Sequence, residues 1–450
     1  MRRLVGFAVI GALIAGVLVC WLVFPPQEQG PPRGSPKPNY EPPIHVLFVL
    51  HFDPPPTPPE KPYFDVEGQE TVMNYERSRD ELTWLLDFCQ ENGVKMTALF
   101  NGFYPQIAMR KGELEPIQRL LDEGHEVGTH AHSIRYDEST DRWVSTQDPR
   151  EFYSSAKHFV DEALEEAGGG GNVTVCAALP KGKYGPEEEL MEEHGFWVAI
   201  GNRPDFATQY LGHQAWNPWR ARCSDERGHE LEEDLSVSFV SIDHRSQIGS
   251  STAHGVDSTV PELKKDFLML YVEWKMHELM GLEDKVWSWG VVHHPNYGDT
   301  YNQDIEEFFL WLNEHFIGKK TLHGSTVALY ATASQTAEDF LVWENENPAK
   351  SSFSYVEGDE YPYMCKHSWL KISSSVYVGD MDLGKGVEAF EFRDASDKVF
   401  YLCWSDVLRE LDLENLFQGP IKATNPLGVE KIYQPDGVVL TEEPCFLESA

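Results

Sequence analysis

The chain has 450 residues, 41% hydrophobic and 12% aromatic, which is enough for more than one folded unit and excludes disordered, collagen-like and coiled-coil classes. With 73 acidic against 37 basic residues the formal charge is −36, a field that repels phosphate polymers and excludes nucleic acid as a partner.

The uncharged run Leu4–Phe24, behind Arg2 and Arg3 and ahead of Pro25 and Pro26, has the ~20 residues a helix needs to cross a bilayer. It predicts a transmembrane anchor over residues 1–24, a membrane partner and a single-pass protein of the cell membrane with the rest of the chain outside. A cleaved secretory signal, giving a secreted protein, is the alternative. Residues 25–43 are rich in proline and predict a stiff, solvated spacer. Six cysteines follow the first apolar segment, and their pairing cannot be deduced from sequence.

From residue 44 to 348 short apolar runs alternate with helical patterns. Predicted strands are Ile44–Leu50, Val94–Phe100, Glu126–Thr129, Val173–Leu179, Phe196–Gly201, Leu235–Ile242, Val286–Val292 and Ser325–Tyr330. Such alternation predicts an α/β fold, a (β/α)7–8 barrel whose active site lies at the carboxyl ends of its strands. Residues 349–450 change to β-type segments such as Val387–Arg393 and Val399–Trp404, with Asp436–Leu447 resembling a closing hairpin. They predict a small β-rich, sandwich-like domain.

Three predicted strands end in imidazole or carboxylate: His51-Phe52-Asp53, Gly124-His-Glu-Val-Gly-Thr-His130-Ala-His132, and His293-His294-Pro295. Residues two apart in extended backbone share a face, so His130 faces with His132 and His51 with Asp53. Mixed imidazole and carboxylate suit a divalent metal, zinc before cobalt, nickel or ferrous iron. His213, His229, His244 and His254 lie in loop-like surroundings and are read as solvated or capping histidines.

The segment Gly124–His130 resembles the second motif of the polysaccharide deacetylases, metal-dependent hydrolases on a deformed (β/α)7 barrel. His51-Phe52-Asp53-Pro54 resembles their T-F-D-D, Leu179-Pro-Lys181-Gly-Lys-Tyr184-Gly185 their R-x-x-P-P-Y-G, and Val291-Val292-His293-His294 their final strand ending in histidine. The resemblance implies removal of N-acetyl groups from a polysaccharide or oligosaccharide. It makes Asp53 the general base, His130 the first metal ligand, Lys181 and Tyr184 substrate-binding residues, and one histidine of the last motif the acid. His294 is preferred to His293 because it ends the strand beside Pro295. Two metal-ligand positions depart from the pattern: Pro54 stands for the second aspartate and Ile134 for the second histidine. His132 can substitute, Asp53 can be drafted as a ligand, and His51 is a reserve ligand.

Two other functions fit the sequence. A glycoside hydrolase on a related barrel would pair Asp53 with Asp243 or Asp137. A catalytically degenerate glycan-binding protein would explain the substituted positions. Trp216, Trp219, Trp287 and Trp289 could stack on sugar rings in either case, although packing in the core explains each one alone.

Overall fold

The computed structural model describes residues 40–55, 63–177, 188–201, 216–223, 231–244, 246–248, 259–295, 300–350, 352 and 363–450. Among these, no helix is long and apolar enough to cross a membrane. The expected single-pass anchor is corrected accordingly, and with it the membrane as partner and location. The run Leu4–Phe24 that suggested it lies outside the described residues.

Seven parallel strands form a nearly closed barrel: β1 (Ile44–Phe52), β2 (Met96–Phe100), β3 (Glu126–Thr129), β4 (Val175–Ala177), β5 (Val198–Ile200), β6 (Val240–Ile242) and β7 (Trp287–His293). Hydrogen bonding runs β6-β5-β4-β3-β2-β1-β7, and Ser246–Gln247, just after β6, pairs with the far side of β7. A short strand, β8 (Ala328–Tyr330), joins the start of β1.

All nine residues of β1 are buried, which is why it reads as an unbroken apolar run rather than an alternating one. Its two faces nevertheless go to different places. Ile44, Val46, Phe48, Leu50 and Phe52 pack outward with the helices, while Leu47 and Val49 join Leu99, Val175, Ala177, Val198, Ile200, Val240, Ile242 and Val292 in the barrel interior. Strand β7 divides in the same way. Trp287, Trp289 and Val291 belong to the outer core and Val292 to the interior.

Helix α1 (Gln69–Asn92) follows β1 and ends at Gly93, whose φ of 69° suits glycine. Its Tyr75, Ser78, Leu82, Leu85, Leu86 and Cys89 recur at helical spacing on the buried side. Helices α2 (Phe103–Lys111) and α3 (Glu115–Asp122) follow β2, α4 (Pro149–Glu166) follows β3, and α5 (Glu188–His194) follows β4. Helix α6 (Val260–Met280) precedes β7, and α7 (Asn302–His315) follows it. Helix α8 (Ala333–Glu346) sends Ala333, Ala337, Phe340 and Trp343 into the cluster of interior strand residues.

After α9 (Lys366–Ser373) come β9 (Val376–Asp380), β10 (Val387–Arg393), β11 (Val399–Ser405), β12 (Arg409–Leu411), β13 (Ile421–Thr424), β14 (Glu430–Tyr433), β15 (Val438–Leu440) and β16 (Cys445–Ser449). They make a six-stranded antiparallel sheet, β9-β10-β11-β16-β13-β14, and a two-stranded β12-β15 ribbon. Period-two patterning gives the large sheet two apolar faces. Phe390, Phe392, Phe400, Leu402, Trp404 and Phe446 extend the barrel's outer core, and Tyr401, Cys403 and Leu447 pack with Leu411, Val438 and Leu440 of the ribbon. The two strands within Asp436–Leu447 are therefore not a hairpin. Each pairs in a different sheet, β15 with β12 and β16 with β11 and β13.

Candidate metal centre

The interior face of the barrel continues beyond the apolar residues into a ring of imidazoles. On β1, Leu47 and Val49 are followed at the same spacing by His51 and Asp53. On β3, inward-facing Gly128 is followed by His130 and His132. Glycine is required there, because a Cβ would lie 2.5 Å from Leu99 Cδ2 and 2.7 Å from Val175 O. On β6, Val240 and Ile242 lead to His244, and on β7, Val292 leads to His294. Four strands thus deliver side chains to one place at their carboxyl ends.

Three donor atoms converge. His130 Nε2 is 3.0 Å and His132 Nε2 2.9 Å from Asp53 Oδ1, and the two nitrogens are 2.8 Å apart. His294 Nε2 lies 3.6 Å from the other carboxylate oxygen, Oδ2. Burial pushes the Asp53 carboxyl upward, but hydrogen bonds from His130 and His132 outweigh it, and the neighbouring His132 and His294 add to them. The carboxyl is held well below the usual carboxylate range.

With Asp53 ionised, protons alone cannot satisfy this triangle. Each Nε2 is either a donor or an acceptor. If both donate to Oδ1, two N–H groups face each other at 2.8 Å; if one does not, its lone pair faces the carboxylate. A single divalent cation among the three atoms removes the conflict. Zinc with nitrogen and oxygen ligands at ~2.0–2.2 Å keeps neighbouring ligands roughly 3.3 Å apart, a few tenths longer than the edges here. The residues present therefore fit a zinc-type ion, and the group that could hold it is Asp53, His130 and His132.

His51 is in the ring of imidazoles but outside that group. Its face stacks on His130, with centroids 4.1 Å apart and planes at 22°, and the rings of His244 and His294 approach it edge-on at 5.1 and 5.4 Å. Burial first, then the adjacent imidazoles, pushes its basicity well below that of ordinary histidine.

His293 points the other way. It is fully buried on the outer face of β7, where Nε2 lies 2.6 Å from Glu81 Oε1 of α1 and Nδ1 3.3 Å from the carbonyl of Ile248. The adjacent residues of β7 face opposite sides, as the period of a strand requires. Lys181 and Tyr184 lie outside the described residues. Asp243 is fully buried, and Asp137 ends a short strand, Ile134–Asp137, and accepts hydrogen bonds from Ser139 and Thr140 of the turn that follows. Trp216, Trp219, Trp287 and Trp289 are all buried, with Trp287 Nε1 donating to Glu41 and Trp289 Nε1 to Asp266. They belong to the core and offer no sugar-stacking surface.

His244 is the residue the sequence reading missed. The signal was present, since it falls two residues after Ile242 at the end of an expected strand, where its parity turns it inward.

No family model and no curated protein matches the chain. Solved structures with a similar course of chain include one named as a polysaccharide deacetylase from Pseudomonas aeruginosa PAO1, with 15% identity and TM-score 0.41, covering 73% of this chain and 100% of that one. A 4-alpha-glucanotransferase from Thermococcus litoralis aligns at 13% identity and TM-score 0.40 over 66% of this chain and 40% of its own. The Xyl-CE4 domain of a multidomain xylanase from the hindgut metagenome of Trinervitermes trinervoides aligns at 14% identity and TM-score 0.28, over 66% and 91%. Likeness this distant leaves activity unassigned.

Proposed function

We propose that the chain is a metal-dependent hydrolase that removes N-acetyl groups from a polysaccharide or oligosaccharide. The observation that carries this reading is the triangle of Asp53, His130 and His132, at the end of the barrel where such folds do chemistry, with His294 on the free oxygen of the same carboxylate. It is consistent with the resemblance of Gly124–His130 to the deacetylase motif.

Asp53, His130 and His132 would hold the ion, which when bound supplies Lewis acidity towards an amide carbonyl and a water of lowered pKa. Asp53 contributes Oδ1 to that set and turns Oδ2 to His294. In this arrangement Asp53 serves as a ligand, a different role from the base that the family resemblance implies. His294, 2% exposed, holds or releases its proton at Nε2, as protonation of a leaving amine requires. His132, the most open of the ligands at 32% exposed, marks the side from which substrate enters.

The paired-carboxylate alternative has less support. Asp53 is the acidic member of the convergent group, while Asp243 is sealed in the core and Asp137 is engaged by the turn that follows it. Acetate release from chitooligosaccharides by the zinc-loaded chain, compared with Asp53→Asn, tests the reading. Release abolished in the variant supports it. Shortened sugars without acetate favour a glycosidase, and glycan binding with neither product favours a degenerate binder.

A further inference from the structure

Among the described residues, five imidazoles meet at the barrel mouth, and His51 stands between several of them. It contacts His130, His244 and His294, from three further strands, and is itself only 7% exposed. Its Nε2 is buried, with no hydrogen-bond partner among the described residues. Towards these three neighbours the ring presents its face and edges. The contact with His130 is a near-parallel stack at 4.1 Å, while His244 and His294 meet it at 76° and 86°. A ring stacked in that position constrains the plane of the His130 imidazole.

We propose that His51 is the positioning residue of this centre, a ring platform that orients His130 for the ion and is not itself a ligand. The inference rests on the zinc reading of Asp53, His130 and His132. Metal sites lose affinity when the groups that orient their ligands are removed, typically by 10–100-fold. Here the orienting contact is a stack rather than a hydrogen bond, so the ring should matter and its nitrogens should not.

Two substitutions separate those properties. His51→Phe keeps a ring without nitrogen, and His51→Gln keeps a polar nitrogen without a ring. Zinc affinity of the full-length chain, read by competition with a chromogenic chelator and with circular dichroism as the folding control, is expected to change less than about threefold in His51→Phe and to fall at least about tenfold in His51→Gln. Wild-type affinity in His51→Gln overturns the inference, whether or not the phenylalanine variant folds. A folded His51→Phe that loses as much as His51→Gln also overturns it, because the nitrogen is then required. If the unaltered chain takes up no zinc, the metal reading falls and this inference with it; if it does take up zinc, either of the two reversals removes the platform alone.

Discussion

The outward turn of His293 can be tested through its partner. Glu81→Ala would leave His293 with no carboxylate at Nε2, in a site where the histidine is 0% and the glutamate 4% exposed and the contact is 2.6 Å. Removing one partner of so short and so buried a hydrogen bond costs about 2–3 kcal/mol, because the remaining polar group stays desolvated and unsatisfied. The compact unit Tyr40–Ala450 unfolds with an entropy of ~2.1 cal/mol/K per residue, near 0.9 kcal/mol/K, so the thermal midpoint should fall by about 2 to 4 °C. Glu81→Gln keeps the shape and an acceptor oxygen and should fall by about half as much. Differential scanning fluorimetry of the full-length chain reads both, and zinc affinity is measured alongside. A midpoint within about 1 °C of wild type in Glu81→Ala would show that the pair is not formed. A loss of zinc affinity without a fall in the midpoint would show that His293, not His294, serves the centre.

Two further perturbations test the fold around the site. Gly128→Ala places a methyl group 2.7 Å from the Val175 carbonyl, which cannot swing away as a side chain can, and should destabilise by about 2–3 kcal/mol in urea denaturation; an unchanged midpoint would refute the close packing of β3 on β4. His315 joins α7 to the β-rich region, 2.7 Å from Glu388 and 3.7 Å from Asp380. Burial there lowers its pKa, but hydrogen bonds to Asp380 and Glu388 outweigh the burial and raise it to about 9. A pKa raised on folding gives stability that is complete below the unfolded value, ~6.5, and is lost as pH climbs through about 9. The difference in midpoint between wild type and His315→Gln should therefore shrink between pH 6.5 and 9.5, and a difference that holds constant would refute the pairing.

Much of the barrel was legible because buried parallel strands announce themselves as apolar runs and the larger helices as stripes. Strand β1 extends the expected Ile44–Leu50 by two residues, and those two bring His51 into the strand. Strand β6 is shorter than the expected Leu235–Ile242, since Val237 N closes a turn on Asp234 and the ladder starts only at Val240. Helix α2 was hidden by its length of nine residues and its Pro105. Helix α8 was missed although its signature, Thr332 and Gln335 in a reciprocal capping box, stood in the sequence.

At the site, the facing of His51 with Asp53 and of His130 with His132 followed from the period of a strand. The choice between His293 and His294 needed the direction of the barrel interior, fixed by Val292 and its neighbours on other strands. The partnership of His293 with Glu81, 212 positions away, is a tertiary contact that no local pattern carries.

The claim on which the rest depends is that Asp53, His130 and His132 form one divalent-metal site. Zinc content of the full-length chain after equilibration with micromolar zinc and removal of the excess tests it most directly. About one equivalent per chain is predicted in the wild type, and little or none in Asp53→Asn or His132→Ala variants that keep wild-type circular dichroism. No zinc in the wild type, or an undiminished equivalent in both variants, would contradict it.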